Sequence, residues 1–147
     1  MHFFNGRGQE NGITIDVPAG ITDKYFLFDF YSHVFHFPDW FGRNWDALLD
    51  CLRDIKDEFN PISIRHSDVP FSLSPNEKES YLDILLLTST LHKGDVIVTF
   101  PDELLEEVDE VIFMHWKKWY KDIKTKGEVL NIVTHLVFPS RSENGSV

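Results

Sequence analysis

The chain has 147 residues, 42% of them hydrophobic, and its 24 acidic and 14 basic residues give a formal net charge of −10. This length and composition are typical of one domain with a sizeable core. The negative charge argues against binding to nucleic-acid phosphates or acidic membranes and favours basic partners, although acidity also serves solubility alone.

The cysteine count and the apolar runs bear on the cellular compartment. The single cysteine, Cys51, cannot form an internal disulfide, so a reducing compartment is permitted. Residues 1–20 lack the basic start and apolar stretch of a secretory signal. The longest apolar runs, Ile84–Leu87 and Val111–Met114, are too short to span a bilayer. We therefore expect a cytoplasmic protein that binds neither membranes nor nucleic acids.

The first part of the chain predicts one strand and two helices. Ile13–Val17 alternates apolar and polar residues, as a half-buried strand does. Thr22 is predicted to cap a helix over Tyr25–Phe35, in which apolar residues recur at helical spacing. After a loop, Asn44 is predicted to cap a second helix that ends near Asn60-Pro61.

The next part predicts a strand, a helix and a strand. Ile62–His66 is predicted to be the second strand, and Ser74-Pro75 to start a helix that runs to about Leu91 before Gly94. Asp95–Phe100 is predicted to be a short buried strand. This strand–helix–helix–strand–helix–strand order implies crossovers, and so an α/β fold with a small parallel sheet packed with helices.

The remaining residues predict a long helix, from Asp102 to about Lys126 before Gly127, and a fourth strand at Val129–Phe138. The apolar stripe of this helix, which contains Trp116 and Trp119, either docks on the sheet or contacts another protein. We expect one domain over residues 1–147. It has a core at 13–100, a C-terminal helix–strand extension at 101–138, and flexible ends at 1–12 and 139–147.

Two aspartates, Asp46 and Asp50, give the second helix an acidic face. Their spacing of four residues places both carboxylates on one side, one turn apart. Asp46 lies in the first turn, where the helix dipole favours an anion, whereas Asp50 and Asp54 lack that support. A cationic partner would relieve the repulsion between them, and a guanidinium could bind each carboxylate bidentately. An ordinary solvated helix face is the alternative interpretation.

The stretch from 37 to 52 resembles the barstar family of small acidic ribonuclease inhibitors. That family has a loop of the form Pro-x-aromatic-aromatic-Gly-x-Asn and a helix of the form x-Asp-Ala-Leu-x-Asp-Cys-Leu. The positions in register are Pro38, Trp40, Phe41, Gly42, Asn44, Asp46, Ala47, Leu48, Asp50, Cys51 and Leu52. The resemblance covers roughly residues 13–100 and implies a three-stranded parallel sheet surrounded by helices.

The resemblance also implies a function, in which the loop aromatic and the two helix aspartates plug the active site of a basic ribonuclease or toxin nuclease. This chain would then be an inhibitor or immunity protein that acts as a monomer, without metal or cofactor. The residues implied to bind the partner are Trp40, Gly42, Asn44, Asp46, Leu49 and Asp50.

Three positions depart from the pattern of the family. Leu49 stands where the family has a large aromatic residue, and Arg43 replaces what is often an acidic residue, which would put a cation beside the acidic face. The stretch Leu87–Leu91 lacks the glutamate that the family often has late in its last helix. These departures bear on which nuclease is bound.

The sequence gives little support for a metal site, a catalytic site or a reactive cysteine. The seven histidines lack the spacing of a metal site, and no catalytic motif is present, so we predict that the protein is not an enzyme. Cys51 is predicted to be buried rather than reactive, and Trp45 to lie in the core, whereas Trp40 fits either an exposed or a packed position. The alternative function is a non-inhibitory protein-interaction domain that uses the 101–138 extension.

Overall fold

A computed structural model of the chain describes residues 12–55, 59, 61–92, 95–119 and 136–137. Its parallel sheet has the strand order β1-β2-β3-β4. The strands are β1 (Ile13–Val17), β2 (Ile62–His66), β3 (Val96–Thr99) and β4 (Leu136–Val137). The helices are α1 (Lys24–Phe35), α2 (Trp45–Arg53), α3 (Pro75–Leu91) and α4 (Leu105–Trp119). The predicted α/β class and the order of elements up to β3 are confirmed.

One face of the sheet is buried by the helices, and the other face is partly exposed to solvent. Alternate residues such as Ile15, Ile64 and Val98 lie in the core with at most 1% exposure, where the helices cover them. The intervening side chains lie on the opposite face, since successive residues of a strand point to opposite sides. Asp16 and Arg65 are exposed there and form a cross-strand ion pair at 2.8 Å.

The helix starts follow from the capping residues. Asn44 caps α2 as predicted, with its Oδ1 accepting the Ala47 N–H at 2.8 Å. The prediction of Thr22 as the cap of α1 is wrong, because Asp23 is the cap and its Oδ1 accepts the Tyr25 N–H at 2.9 Å. A carboxylate at that position also interacts favourably with the helix dipole. Helix α3 begins at Pro75, as predicted.

Two predicted helix boundaries are wrong. Helix α2 ends at Arg53, well before Asn60-Pro61, because the Asp54 N–H turns back to the Asp50 and Cys51 carbonyls and closes the last turn. The predicted helix from Asp102 begins as a 3₁₀ turn at Asp102–Leu104, and α4 follows at Leu105. The predicted stops at Gly94 and Gly127, the helix beyond 119, and the strand at 129–138 apart from 136–137 lie outside the described residues.

Helix α4 packs chiefly against α3, so the expectation that it docks on the sheet itself needs correction. Val108 and Ile112 of its apolar stripe are buried in that contact, and the Lys78 ammonium of α3 pairs with the Glu107 carboxylate at 2.7 Å. The physical reason is that α3 contacts β3 and β4, so α4 meets α3 as its main neighbour. Among the described residues, every helix is too short or too polar to cross a membrane.

Candidate functional site

The aromatic loop, His36–Arg43, holds two phenylalanines inward and one tryptophan outward. The ring centroids of Phe37 and Phe41 lie 5.0 Å apart, and Phe41 packs edge-on against the buried Phe28 of α1 at 6.2 Å. Trp40, between them, is 76% exposed. Of the two positions that the sequence allowed for Trp40, the structure adopts the exposed one, because the phenylalanines already anchor the loop.

Arg43 ends the loop in a left-handed conformation with φ of 52° and is held by α1. Its guanidinium binds the Asp29 carboxylate through two hydrogen bonds of 3.0 and 3.1 Å, and it lies 5.0 Å from the centroid of the Tyr25 ring. Bidentate pairing and stacking on an aromatic ring both fix the direction of an arginine. The cation that the sequence places next to the acidic face is therefore already paired with a carboxylate of α1.

Gly42 and Asn44 shape the junction between the aromatic loop and α2. The Asn44 Nδ2 donates to the Gly42 carbonyl at 3.4 Å while its Oδ1 caps the helix. A Cβ added at Gly42 would lie only 3.2 Å from that Nδ2, so a side chain there would press on the capping amide. These contacts set the direction in which α2 leaves the loop.

Asp46 and Asp50 project from α2 with exposed carboxylates, one turn apart. Within the described part of the chain, no basic side chain lies within 4 Å of the Asp46 carboxylate. The Asp50 Oδ1 lies 3.7 Å from the Arg53 Nη2, and both side chains are more than half exposed. Such solvent-exposed pairs contribute about 0–1 kcal/mol, so Arg53 is readily displaced.

Leu49, which lies between the two aspartates in sequence, differs from them in its burial. It is half-buried and packs against the hydrophobic core. Trp45 is also partly buried, with its ring edge-on to Phe28 at 4.9 Å and to Phe71 at 5.8 Å. Trp45 thus packs on the core but stays partly exposed, and the buried Leu48 and Leu52 fix α2 to the core while its acidic face stays in solvent.

A groove of about 140 Å³ lies between the aromatic loop and the C-terminal end of α2. Its lining consists of Phe35, His36, Phe37, Pro38, Trp40, Asp50, Cys51, Asp54 and Ile55. Asp54 was absent from the predicted site residues, yet it continues the four-residue spacing of Asp46 and Asp50, which is the signal that identifies it. Asp54 thus extends the acidic face, which consists of Asp46, Asp50 and Asp54.

Cys51 is buried, as predicted, and lies next to this groove. Burial raises the pKa of its thiol, and the neighbouring Asp50 and Asp54 carboxylates raise it further. Since the thiolate is the reactive form, these effects make Cys51 a packing residue rather than a nucleophile.

A cluster of hydrogen-bonded polar side chains is buried in the core. The His66 Nε2 and the Tyr81 hydroxyl lie 2.7 Å apart, and the Tyr81 and Tyr31 hydroxyls are also 2.7 Å apart. The His66 Nδ1 lies 3.2 Å from the Thr99 carbonyl, and its ring stacks on Phe100 at 4.3 Å. Burial lowers the pKa of His66 to about 4, so the ring is neutral at neutral pH and acts as a hydrogen-bonding core residue.

Comparison with known proteins supports the resemblance of the loop and α2. A scan against protein families matched residues 13–100 to the family described as Barstar (barnase inhibitor). No curated protein and no solved structure matched the chain. The matched segment spans β1 to β3 and contains the aromatic loop and the whole of α2. The chain therefore belongs to the barstar family.

Proposed function

We propose that this protein inhibits a basic ribonuclease, of the kind that barnase represents, by placing the acidic face of α2 and the aromatic loop in the active site. The complex contains one copy of each protein, needs no cofactor, and protects the cytoplasm of the cell that makes the nuclease. The single observation that carries this proposal is the exposure of Asp46 and Asp50 on one face of α2, where Asp50 lines a groove together with the exposed Trp40.

Charge complementarity is the first argument. A ribonuclease active site holds cationic side chains for the phosphates of RNA, and two carboxylates one helical turn apart present negative charge to those cations. The net charge of −10 adds a long-range attraction to a basic partner. Asp46 offers its carboxylate without first breaking an ion pair to a described basic residue, and Asp50 breaks only an exposed one.

Preorganisation is the second argument. The Asn44 cap, the Arg43–Asp29 pair and the packed Phe37 and Phe41 hold the loop and α2 before any partner arrives. Ordering a loop on binding costs free energy, so a loop already ordered in the free protein leaves more of the interaction energy for affinity.

The alternative is an interaction domain that uses the C-terminal extension. Within α4, Val108 and Ile112 of the apolar stripe are buried against the same chain, so this part of the stripe serves the fold. Inhibition is therefore the function we propose.

The test is an inhibition titration with barnase and a panel of other basic ribonucleases, measured as hydrolysis of a fluorogenic RNA substrate at low salt. We expect activity to fall linearly and to vanish at a one-to-one ratio for at least one nuclease. Asp50→Asn should weaken binding to it about ten- to a hundredfold, since hydrogen bonds to charged groups contribute about 1.5–3 kcal/mol.

The matched control is Glu106→Gln, which removes the same charge from the exposed first turn of α4. This variant should leave the inhibition constant within about twofold, because a surface charge far from the interface acts only through a screened field. Full activity of every nuclease at micromolar inhibitor would overturn the proposal. Equal weakening by Asp50→Asn and Glu106→Gln would remove Asp50 from the site.

A further inference from the structure

A pocket of about 350 Å³ opens at the carboxyl ends of β1, β2 and β3. Its lining consists of Asp16, Val17, Arg65, His66, Ser67, Thr99, Phe100 and Pro101. None of these residues belongs to the acidic face or to the groove beside the aromatic loop. The carboxyl end of a parallel sheet is where α/β proteins commonly bind small ligands, in sites of roughly 300–1,000 Å³. The pocket is therefore large enough for a small metabolite.

One row of side chains crosses the three strands along this pocket. The register places Asp16 opposite Arg65 and Arg65 opposite Thr99, so the three side chains lie side by side on the exposed face of the sheet. The Arg65 Nε donates to the Asp16 Oδ1 at 2.8 Å, and these two side chains are 58% and 69% exposed. Because this bond uses only Nε, the Nη1 and Nη2 groups of Arg65 make no hydrogen bond to the described residues. The pocket thus presents unused guanidinium donors next to a carboxylate.

The rest of the lining adds apolar surface and no further charge. Val17 and Phe100 are buried, with 5% and 2% exposure, and Pro101 is half-buried. Both ring nitrogens of His66 lie within hydrogen-bond distance of other core groups, and burial lowers its pKa, so the ring is neutral at neutral pH. Of the lining residues, only the ion pair can therefore offer charge to a ligand.

The paired charges select among classes of ligand. A phosphate ester is disfavoured, because the Asp16 carboxylate and the net charge of −10 repel it. Within the described part of the chain, no group of three or more acidic, histidine or cysteine side chains is placed to hold a metal ion. A purely apolar ligand would cover the ion pair without replacing its hydration, which costs free energy. A ligand that carries both an anion and a cation compensates both charges.

We propose that this pocket binds a free α-amino acid with an apolar side chain. The carboxylate of the ligand accepts hydrogen bonds from the Arg65 Nη1 and Nη2 groups beside the Thr99 hydroxyl, and its ammonium group donates to the Asp16 carboxylate. One carbon of an α-amino acid bears both charged groups, which matches a protein pair whose atoms are 2.8 Å apart. The side chain of the ligand lies against Val17 and Pro101.

The experiment titrates the full-length protein with L-leucine and follows its N–H signals by NMR. We expect saturable shifts at the Ser67 and Thr99 amides and at the Arg65 Nε–H. The dissociation constant should be on the order of a millimolar, as for a small ligand held by a few exposed groups. N-acetyl-leucine lacks the ammonium group and leucine amide lacks the carboxylate, so each should bind about fivefold more weakly or worse.

The decisive variant is Arg65→Gln, with Arg53→Gln as the matched control. Arg53 is an exposed arginine that also pairs with an aspartate, and it does not line the pocket. Both variants should fold, since exposed ion pairs contribute little to stability. Arg65→Gln should weaken leucine binding about tenfold because it removes the guanidinium, and Arg53→Gln should leave it unchanged within about twofold.

Asp16→Asn tests the ammonium contact separately. It should weaken the binding of leucine but not that of N-acetyl-leucine, since the amide no longer repels a lone carboxylate, so the two ligands should then bind alike. Equal binding of these two ligands to the wild type, equal effects of Arg65→Gln and Arg53→Gln, or the absence of saturable shifts at Ser67 and Thr99 would each overturn the proposal. The titration contains no nuclease, so its outcome does not depend on the function proposed above.

Discussion

At the scale of single residues, the protonation of the buried His66 affects the stability of the fold. Its pKa is lowered from 6.5 to about 4 by burial, so the folded protein resists its protonation while the unfolded chain accepts it. The unfolded state therefore binds more protons between those two pH values, and stability falls as the pH falls through that window.

We predict that this single histidine removes about 3 kcal/mol of stability as the pH falls from 6.5 towards 4, at about 1.4 kcal/mol for each pH unit of the shift. The measurement is the free energy of unfolding in urea at several pH values for the wild type and His66→Gln. Glutamine keeps the ability to bond Tyr81 but does not titrate. The wild type should lose more stability than the variant over this window, and identical pH dependences would contradict the assignment.

Residue-level contacts also decide what the sequence could not predict. The exposure of Trp40 depends on Phe37 and Phe41 taking the inward positions, and a run of aromatic residues does not say which of them is anchored. The partner of Arg43, Asp29, lies on another helix, 14 residues earlier, and no local pattern in the sequence indicates that pair. By contrast, the Asn44 cap and the one-sided spacing of Asp46 and Asp50 are local features of α2, and they were read directly from the sequence.

At the scale of elements, α3 and α4 are joined by an ionic cluster centred on His115. Its Nδ1 lies 2.7 Å from the Glu79 carboxylate and its Nε2 lies 3.4 Å from that of Asp83, while the Lys118 ammonium also binds Glu79 at 2.9 Å. The Asp83 and Glu79 carboxylates raise the pKa of His115 above 6.5 despite its partial burial. Burial alone would raise the pKa of Glu79, but the hydrogen bonds from His115 and Lys118 lower it.

We predict that His115 stabilises the packing of α4 most at mildly acidic pH. A raised pKa in the folded state means that its contribution is fully present below 6.5 and is lost as the pH rises through the higher folded value. His115→Gln should therefore cost more stability at about pH 6 than at about pH 9, as measured by urea unfolding. The sign is opposite to that for His66, so the two glutamine variants serve as controls for each other. An equal loss of unfolding free energy at both pH values would contradict this prediction.

Element boundaries show where sequence patterns fail and why. The start of α1 is displaced by one residue because Thr22 and Asp23 are both capping types, and only the backbone geometry selects between them. The end of α2 was placed too late because Ile55 continues the apolar spacing, whereas the chain leaves the helix after Arg53 and still packs Ile55 on the core. Strands β1 and β2 were predicted closely, since their alternation reflects burial on one face of the sheet. The expectation that β3 is buried on both faces is wrong, because Ile97 is exposed on the face that the helices leave uncovered.

At the scale of the whole molecule, the net charge of −10 determines how the protein meets a basic partner. Opposite charges steer two proteins together before contact, and salt screens this field over a distance of about 8 Å at physiological ionic strength and about 30 Å at 0.01 M. The field changes the association rate, whereas the dissociation rate of the complex depends on the contacts made at short range.

We predict that the association rate with the inhibited nuclease falls at least tenfold between about 0.01 and 0.5 M salt, while the dissociation rate changes much less. Stopped-flow fluorescence would measure both rates, with the exposed Trp40 as a probe within the proposed interface. A dissociation rate that carries most of the salt effect, with a constant association rate, would contradict steering by the net charge.

The exposure of one face of the sheet to solvent has a consequence for folding. Parallel strands covered on both faces are apolar throughout, so neighbouring alignments that differ by one residue bury similar side chains. Here β1 and β2 carry apolar residues at every second position, with Asp16 opposite Arg65 on the open face. A slip of either strand by one residue would turn a charged side chain towards the core and an isoleucine towards water, so pairings shifted by one residue are strongly disfavoured.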